Sequence, residues 1–163
     1  MRHLLWAVAL SVGLSGLAQA QDVGPVTNLP LPRFVSMKAS EGFARRGPGR
    51  THKIDWVYKH RNQPLEITAE FGHWRRVRDQ DGFGGWMHYS LLSGVRTVLV
   101  TTDFASLHRA PDAETMVTAN AEMGAVARLL GCVPAWCEIS AGGGAGWIKK
   151  SDIWGVNDDE VFE

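Results

Sequence analysis

The chain contains one unit twice, and that repeat limits its possible folds more than any other feature. Arg46-Gly47-Pro48 returns 63 residues later as Arg109-Ala110-Pro111. Trp74-Arg75-Arg76-Val77 returns 62 residues later as Trp136-Cys137-Glu138-Ile139. Gly85-Trp86-Met87, Ser90 and Leu92 return 61 residues later as Gly146-Trp147-Ile148, Ser151 and Ile153. Each copy therefore has about 60 residues, near the lower limit at which a domain folds alone. A unit that small needs a fold that closes around a very small core.

The local pattern within a copy is that of short strands. Leu65, Ile67, Ala69 and Phe71 alternate with Glu66, Thr68 and Glu70. A period of two predicts a half-buried strand with the first set facing inward. Gly72-His73 predicts a tight turn into a strand from Trp74 to Arg78. Asp79 to Gly84 reads as a loop and Gly85 to His88 as a further strand. The second copy repeats this from Gly124 to Leu130, Trp136 to Ile139 and Gly146 to Lys149, with Gly142-Gly143-Gly144 as a hairpin turn. No helical period competes. Short strands with Gly-rich turns predict an all-β barrel or sandwich.

Outside the repeat, the N-terminus has the layout of a secretory signal peptide. Arg2 and His3 precede an uncharged apolar run from Leu4 to Leu14, and Ala18-Gln19-Ala20 offers small residues for cleavage after Ala20. The run falls short of the about 20 apolar residues that span a bilayer. No Cys follows it to carry a lipid. The mature chain is thus expected in the periplasm or outside the cell, with no transmembrane segment. Residues 21–35, with Pro25, Pro30 and Pro32, read as an extended linker, and 157–163 as an acidic tail free to fray. Between them lie the copies, 36–96 and 97–156. Leu29-Pro30-Leu31-Pro32-Arg33 superficially resembles a Pro-rich ligand, but a stiff spacer is the expected role.

The chain is neutral overall, with 17 Lys+Arg and 17 Asp+Glu, but its halves differ. Residues 36–96 hold 11 basic and 6 acidic side chains, and 97–163 hold 4 and 10. Such asymmetry suits either an anionic partner for the first copy or docking of one copy on the other. For an exported protein, cell-wall polymers, lipid head groups or acidic proteins are the anions to expect, and nucleic acid is not.

Several segments are similar to the bacterial SH3-like domains of exported proteins. They are Trp56-Val57-Tyr58, Ala69-Glu70-Phe71 with Trp74-Arg75, Asp79 with Gly82, and Gly85-Trp86-Met87-His88 followed by Ser90-Leu91-Leu92. Cys132, Trp136-Cys137, Gly146-Trp147-Ile148 and Ser151-Asp152-Ile153-Trp154-Gly155 carry the same resemblance in the second copy. It covers nearly all of 36–156 and implies two tandem five-stranded SH3-like barrels, often found near the cell wall. The full groove with which eukaryotic SH3 domains hold Pro-rich peptides is not found, so that ligand is not implied.

With Val57, Val77 and Met87 facing inward, alternation turns Trp56, Tyr58, Trp74, Arg76, Trp86 and His88 outward. These are the candidate ligand-binding residues. The outward aromatics form either a stacking surface or a cover over the core or over the interface between copies. Cys132 and Cys137 flank a hairpin tip and are expected to form a disulfide, since an exported chain meets an oxidising compartment. Glu70 and Arg75 occupy the same places in the first copy and are expected to form a cross-strand ion pair, weak if exposed. His52, His60, His73 and His88 lack H-x-H or HExxH spacing, so neither metal nor cofactor is expected. No G-x-S-x-G motif or P-loop is present. A non-catalytic binding module for a cell-envelope ligand (peptidoglycan, a stem peptide or an envelope protein) is the expected function. The alternative is a structural subunit with its aromatics buried.

Overall fold

The computed structural model describes residues 22–162. Ala18 and Ala20, where cleavage of the signal peptide is expected, lie outside the described residues. The first sheet comprises β1 (Arg33–Met37), β2 (Gly42–Arg45), β3 (Ile54–Tyr58), β4 (Pro64–Phe71), β5 (Trp74–Arg78), β6 (Gly84–His88) and β7 (Leu92–Ser93). The second comprises β8 (Thr97–Val100), β9 (Phe104–His108), β10 (Val117–Glu122), β11 (Val126–Cys132), β12 (Trp136–Ala141), β13 (Gly144–Lys149) and β14 (Ile153–Trp154). Their strand orders, β3-β2-β6-β5-β4-β1-β7 and β10-β9-β13-β12-β11-β8-β14, are the same order moved by seven strands. A single 3-10 turn follows the sixth strand in each, Tyr89–Leu91 and Lys150–Asp152. The fold is two tandem SH3-like barrels. Each sheet has seven strands where the resemblance implied five, because the short flanking strands β1, β7, β8 and β14 also join the ladder.

Each sheet encloses its own core. Met37, Leu65, Ile67, Val77 and Met87 pack with Tyr58 in the first, and Val98, Val100, Leu129, Ile139 and Ile148 with the cysteines in the second. The barrels meet through apolar and neutral polar groups. Phe34 and Trp154 pack edge to face at 5.1 Å, and Thr97 Oγ1 donates to the Asn62 carbonyl at 2.7 Å. Among the described residues four of the five ion pairs lie within the first barrel and its N-terminal segment. The fifth ties Arg96, in the inter-barrel connection, to Glu160. Among the described residues, this is the one ion pair between the basic half and the acidic half.

A bulge in the fourth strand departs from simple alternation. Ile67 pairs with Val77, but the next register pair is Ala69 with Arg76, which leaves Thr68 as the extra residue. One extra residue exchanges the faces beyond it. Phe71, expected inside, is 63% exposed, while Glu70 is buried. The second copy bulges at the matching place. Leu129 pairs with Ile139, Gly131 with Glu138, and Leu130 is left out.

Both ends are held more firmly than expected. The linker reading fails from Arg33 onward, since β1 pairs with β4 and β7. Before it, Val23 bridges Pro30, and residues 22–33 fold as a strap onto the end of β4. The acidic tail is also tied down. Phe162 exchanges backbone hydrogen bonds with Cys132 at 2.8 and 3.0 Å, and Arg96 grips Glu160 at 2.7 and 3.1 Å. The buried Lys150 Nζ donates to the Asp158 and Glu160 carbonyls.

Candidate functional site

The β5–β6 hairpin brings four of the six candidate residues onto one outer face. Trp74 pairs with His88 and Arg76 with Trp86, while the intervening pair Arg75–Met87 is buried. Directly paired residues share a face, so alternation places Trp74, Arg76, Trp86 and His88 outward. Trp74 and His88 pack edge to face at 5.6 Å, and Tyr89 stacks on His88 at 4.9 Å. The His88 Nδ1 lies 2.8 Å from Ser90 Oγ. Trp74, Trp86 and His88 are half-buried and Arg76 is exposed.

The other two candidates do not join this face, because the inward side of β3 is the reverse of the one expected. Gly42 pairs with Tyr58 and Phe43 with Val57. The first pair faces the core, so Tyr58 is 2% exposed and Val57 is 37% exposed. The Tyr58 hydroxyl donates to the Phe83 carbonyl at 2.7 Å. Burial, aided by the nearby Asp79 carboxylate, pushes this phenol well above its ordinary range. Trp56 shares Tyr58's side of β3 but sits at the rim, where it stacks on Phe83 at 4.4 Å. Asp79 accepts from the Asp81 and Phe83 amides and thereby shapes the loop carrying Phe83. Desolvation raises its carboxyl pKa despite those bonds.

Arg45 counts among the basic residues of the first copy but not among the six candidates. It pairs with Trp86 across β2 and β6, so Arg45, Trp86 and Arg76 form one row. The close approach requires Gly85, since a Cβ there would lie 2.5 Å from the Arg45 carbonyl oxygen. The row borders an open groove of about 760 Å³, which Phe83, Arg46 and Arg78 also line. Arg46 pairs with Asp55 at 3.1 Å and Arg78 with Glu66. The repeat offset that joins Arg46 to Arg109 also sets Arg45 against His108, a signal that could have brought Arg45 forward.

The Glu70–Arg75 pair is buried, not exposed. Arg75 Nε lies 3.4 Å from Glu70 Oε1, and both side chains are almost inaccessible. Glu70 also accepts from Arg33 at 2.6 Å, Thr27 Oγ1 at 2.6 Å, and the Thr27 and Val26 amides at 2.9 and 3.0 Å. Burial works against ionisation, but the Thr27 and Arg33 hydrogen bonds prevail and hold the carboxyl at about 2. Leu29–Arg33 thus lies on its own barrel through Glu70. Cys132 and Cys137 form the disulfide, with their Cα atoms 4.1 Å apart. Among the described residues no group of three or more His, Cys, Asp or Glu is placed to hold a metal ion. No helix among them is long and apolar enough to cross a membrane.

Two matching barrels in one chain, each with an outward hairpin face, define a tandem SH3-like protein. Residues 38–94 and 102–155 match the bacterial SH3 domain, and the chain belongs to that family. Bacterial SH3 domains are generally binding modules, often for the cell wall. No curated protein matches the chain. Among solved structures it is similar to one titled NlpC2 from Trichomonas vaginalis, at 11% identity and a TM-score of 0.35. The match covers 76% of this chain and 48% of that one, so this chain spans about half the length of that neighbour.

Proposed function

We propose that this protein is an exported, non-catalytic binding module that holds a cell-envelope ligand on the outer face of its first barrel. The observation that carries this reading is the shared face of Trp74, His88, Trp86 and Arg76. Membership of a family of binding modules supports it, as does the signal-peptide layout of residues 1–20. Aromatic rings on a soluble domain's surface are a common mark of an interaction site. The inter-barrel ring contact is made by Phe34 and Trp154, neither of which belongs to this face.

Cosedimentation of the mature protein with purified peptidoglycan sacculi at low ionic strength tests the proposal. Pelleting that is lost in W74A/W86A is expected. A protein that stays in the supernatant would overturn the wall-binding reading.

A further inference from the structure

One row on the outer face is kept in shape between the barrels but reversed in charge. In the first barrel it reads Arg45, Trp86, Arg76 across β2, β6 and β5. In the second, the same places hold His108, Trp147 and Glu138 across β9, β13 and β12. Both barrels keep the indole. They also keep the glycine before it, where a Cβ at Gly146 would lie 2.9 Å from Leu107 Cβ. The architecture therefore accounts for the tryptophan. It does not account for the two guanidinium groups, because the second barrel closes with an imidazole and a carboxylate in their place. His108 is drawn inward there, with Nδ1 3.1 Å from the Thr115 carbonyl and its ring edge-on to Trp136.

Neighbouring strands lie about 4.8 Å apart, so Arg45 and Arg76 flank Trp86 from about 10 Å apart, close enough for two long side chains to converge on one anion above the indole. Among the described residues neither Arg45 nor Arg76 makes an ion pair, although their groove neighbours Arg46 and Arg78 both do. Arg45 donates to the His52 carbonyl at 2.8 Å, and the Arg76 guanidinium makes no hydrogen bond among the described residues. Among the described residues neither cation lies over the Trp86 ring, the cation–ring contacts there being Arg96 on Phe34 and Lys149 on Trp136. Trp86, Arg45 and Arg76 border the same groove.

The geometry points to a subsite for an acidic saccharide, with a sugar ring against Trp86 and its carboxylate or phosphate held by Arg45 and Arg76. This rests on the reading of the first barrel as the ligand-binding copy. Guanidinium forks match the two oxygens of either anion, and an indole offers a broad apolar face to a sugar ring. An acidic peptide suits the place less well. Peptides bound to sheets commonly add to a free strand edge, whereas β5 and β6 lie inside the sheet with neighbours on both sides.

The test titrates the mature protein with tetragalacturonate, neutral maltotetraose and hexaglutamate, read by amide and indole NMR shifts. Tetragalacturonate is expected to move the Trp86 indole signal, to bind more weakly as salt rises, and to leave the Trp147 signal in place. R45Q/R76Q, which changes only side chains on the outer face, is expected to weaken binding at least about tenfold with an unchanged melting temperature. Competition by glucose 1-phosphate would extend the subsite to sugar phosphates, and its absence would restrict it to uronic acids. Both results support it. Equal binding by the double variant, equal binding of maltotetraose, tighter binding of hexaglutamate, or no binding of either acidic sugar would overturn it. Sacculus pelleting by R45Q/R76Q at the wild-type level, with no saccharide binding by the wild type, would remove this subsite and leave the envelope reading standing.

Discussion

Replacing Glu70 by Gln should remove the charge that holds the N-terminal strap and thereby reveal how the first barrel responds to acid. The wild-type carboxyl is held at about 2, against 4.5 for an unperturbed glutamate. At about 1.4 kcal/mol per pH unit, that gap corresponds to about 3 kcal/mol of stability at neutral pH. The folded value lies below the unfolded one. The contribution is therefore complete above about pH 5 and is lost as pH falls toward 2. Glu70→Ala should cost more, up to about 5 kcal/mol, because Arg33 and the buried Arg75 lose their anion. The assay is guanidinium unfolding followed by tryptophan fluorescence at several pH values from 7 to 2.5, with wild type and variant side by side. The gap in stability should be about 3 kcal/mol at pH 7 and should shrink steadily below pH 5. Amide exchange at Val26 and Thr27, whose N–H groups donate to Glu70, should accelerate in the variant at pH 7. A gap that stays constant across this pH range, or no gap at pH 7, would refute the reasoning.

Four further outcomes are expected. Reducing Cys132–Cys137, or replacing both by Ser, should destabilise the second barrel by about 2 kcal/mol, as the short loop implies, while the first barrel's unfolding transition stays in place; calorimetry with and without reductant checks this. Tyr58→Phe should cost about 1 kcal/mol through the lost bond to the Phe83 carbonyl. In a Tyr89→Phe background, absorbance near 295 nm should show Tyr58 ionising only when the barrel unfolds, because burial and Asp79 hold its pKa up. Gly85→Ala should cost 1 kcal/mol or more, on the order of an overpacked core position, since its Cβ would meet the Arg45 carbonyl oxygen; denaturant unfolding measures the loss.

The repeat, the all-β class and the outward set Trp74, Arg76, Trp86 and His88 were legible because each depends on local periodicity or on a fixed offset. The points that escaped depend on partners far along the chain. Nothing within Pro64 to Phe71 marks Thr68 as the extra residue, because a bulge exists only relative to the opposing strand. That one residue turned Phe71 out and Glu70 in. For β3, the period of two correctly joined Trp56 with Tyr58 but could not say which side met the core. The answer rests on Gly42 opposite Tyr58, where a Cβ would lie 2.5 Å from Met87 Cε. The prolines of the N-terminal segment read as an extended linker, whereas residues 22–33 fold as a strap against Glu70. Its attachment lies in a single side chain 43 residues away from Thr27, beyond the reach of any local pattern.

The end of the β4–β5 hairpin and its counterpart in β11–β12 have the same backbone register and different chemistry. In one, a buried carboxylate gathers two arginines and a strap. In the other, a covalent bond does the closing. Acid acts on the former and leaves the latter intact; a reductant does the reverse. The duplicated hairpin thus closes in two ways, one sensitive to acid and the other to a reductant. A drop in pH would loosen the carboxylate clasp and leave the sulfur bridge closed, and a reducing episode would open the bridge and leave the clasp beside the aromatic face closed.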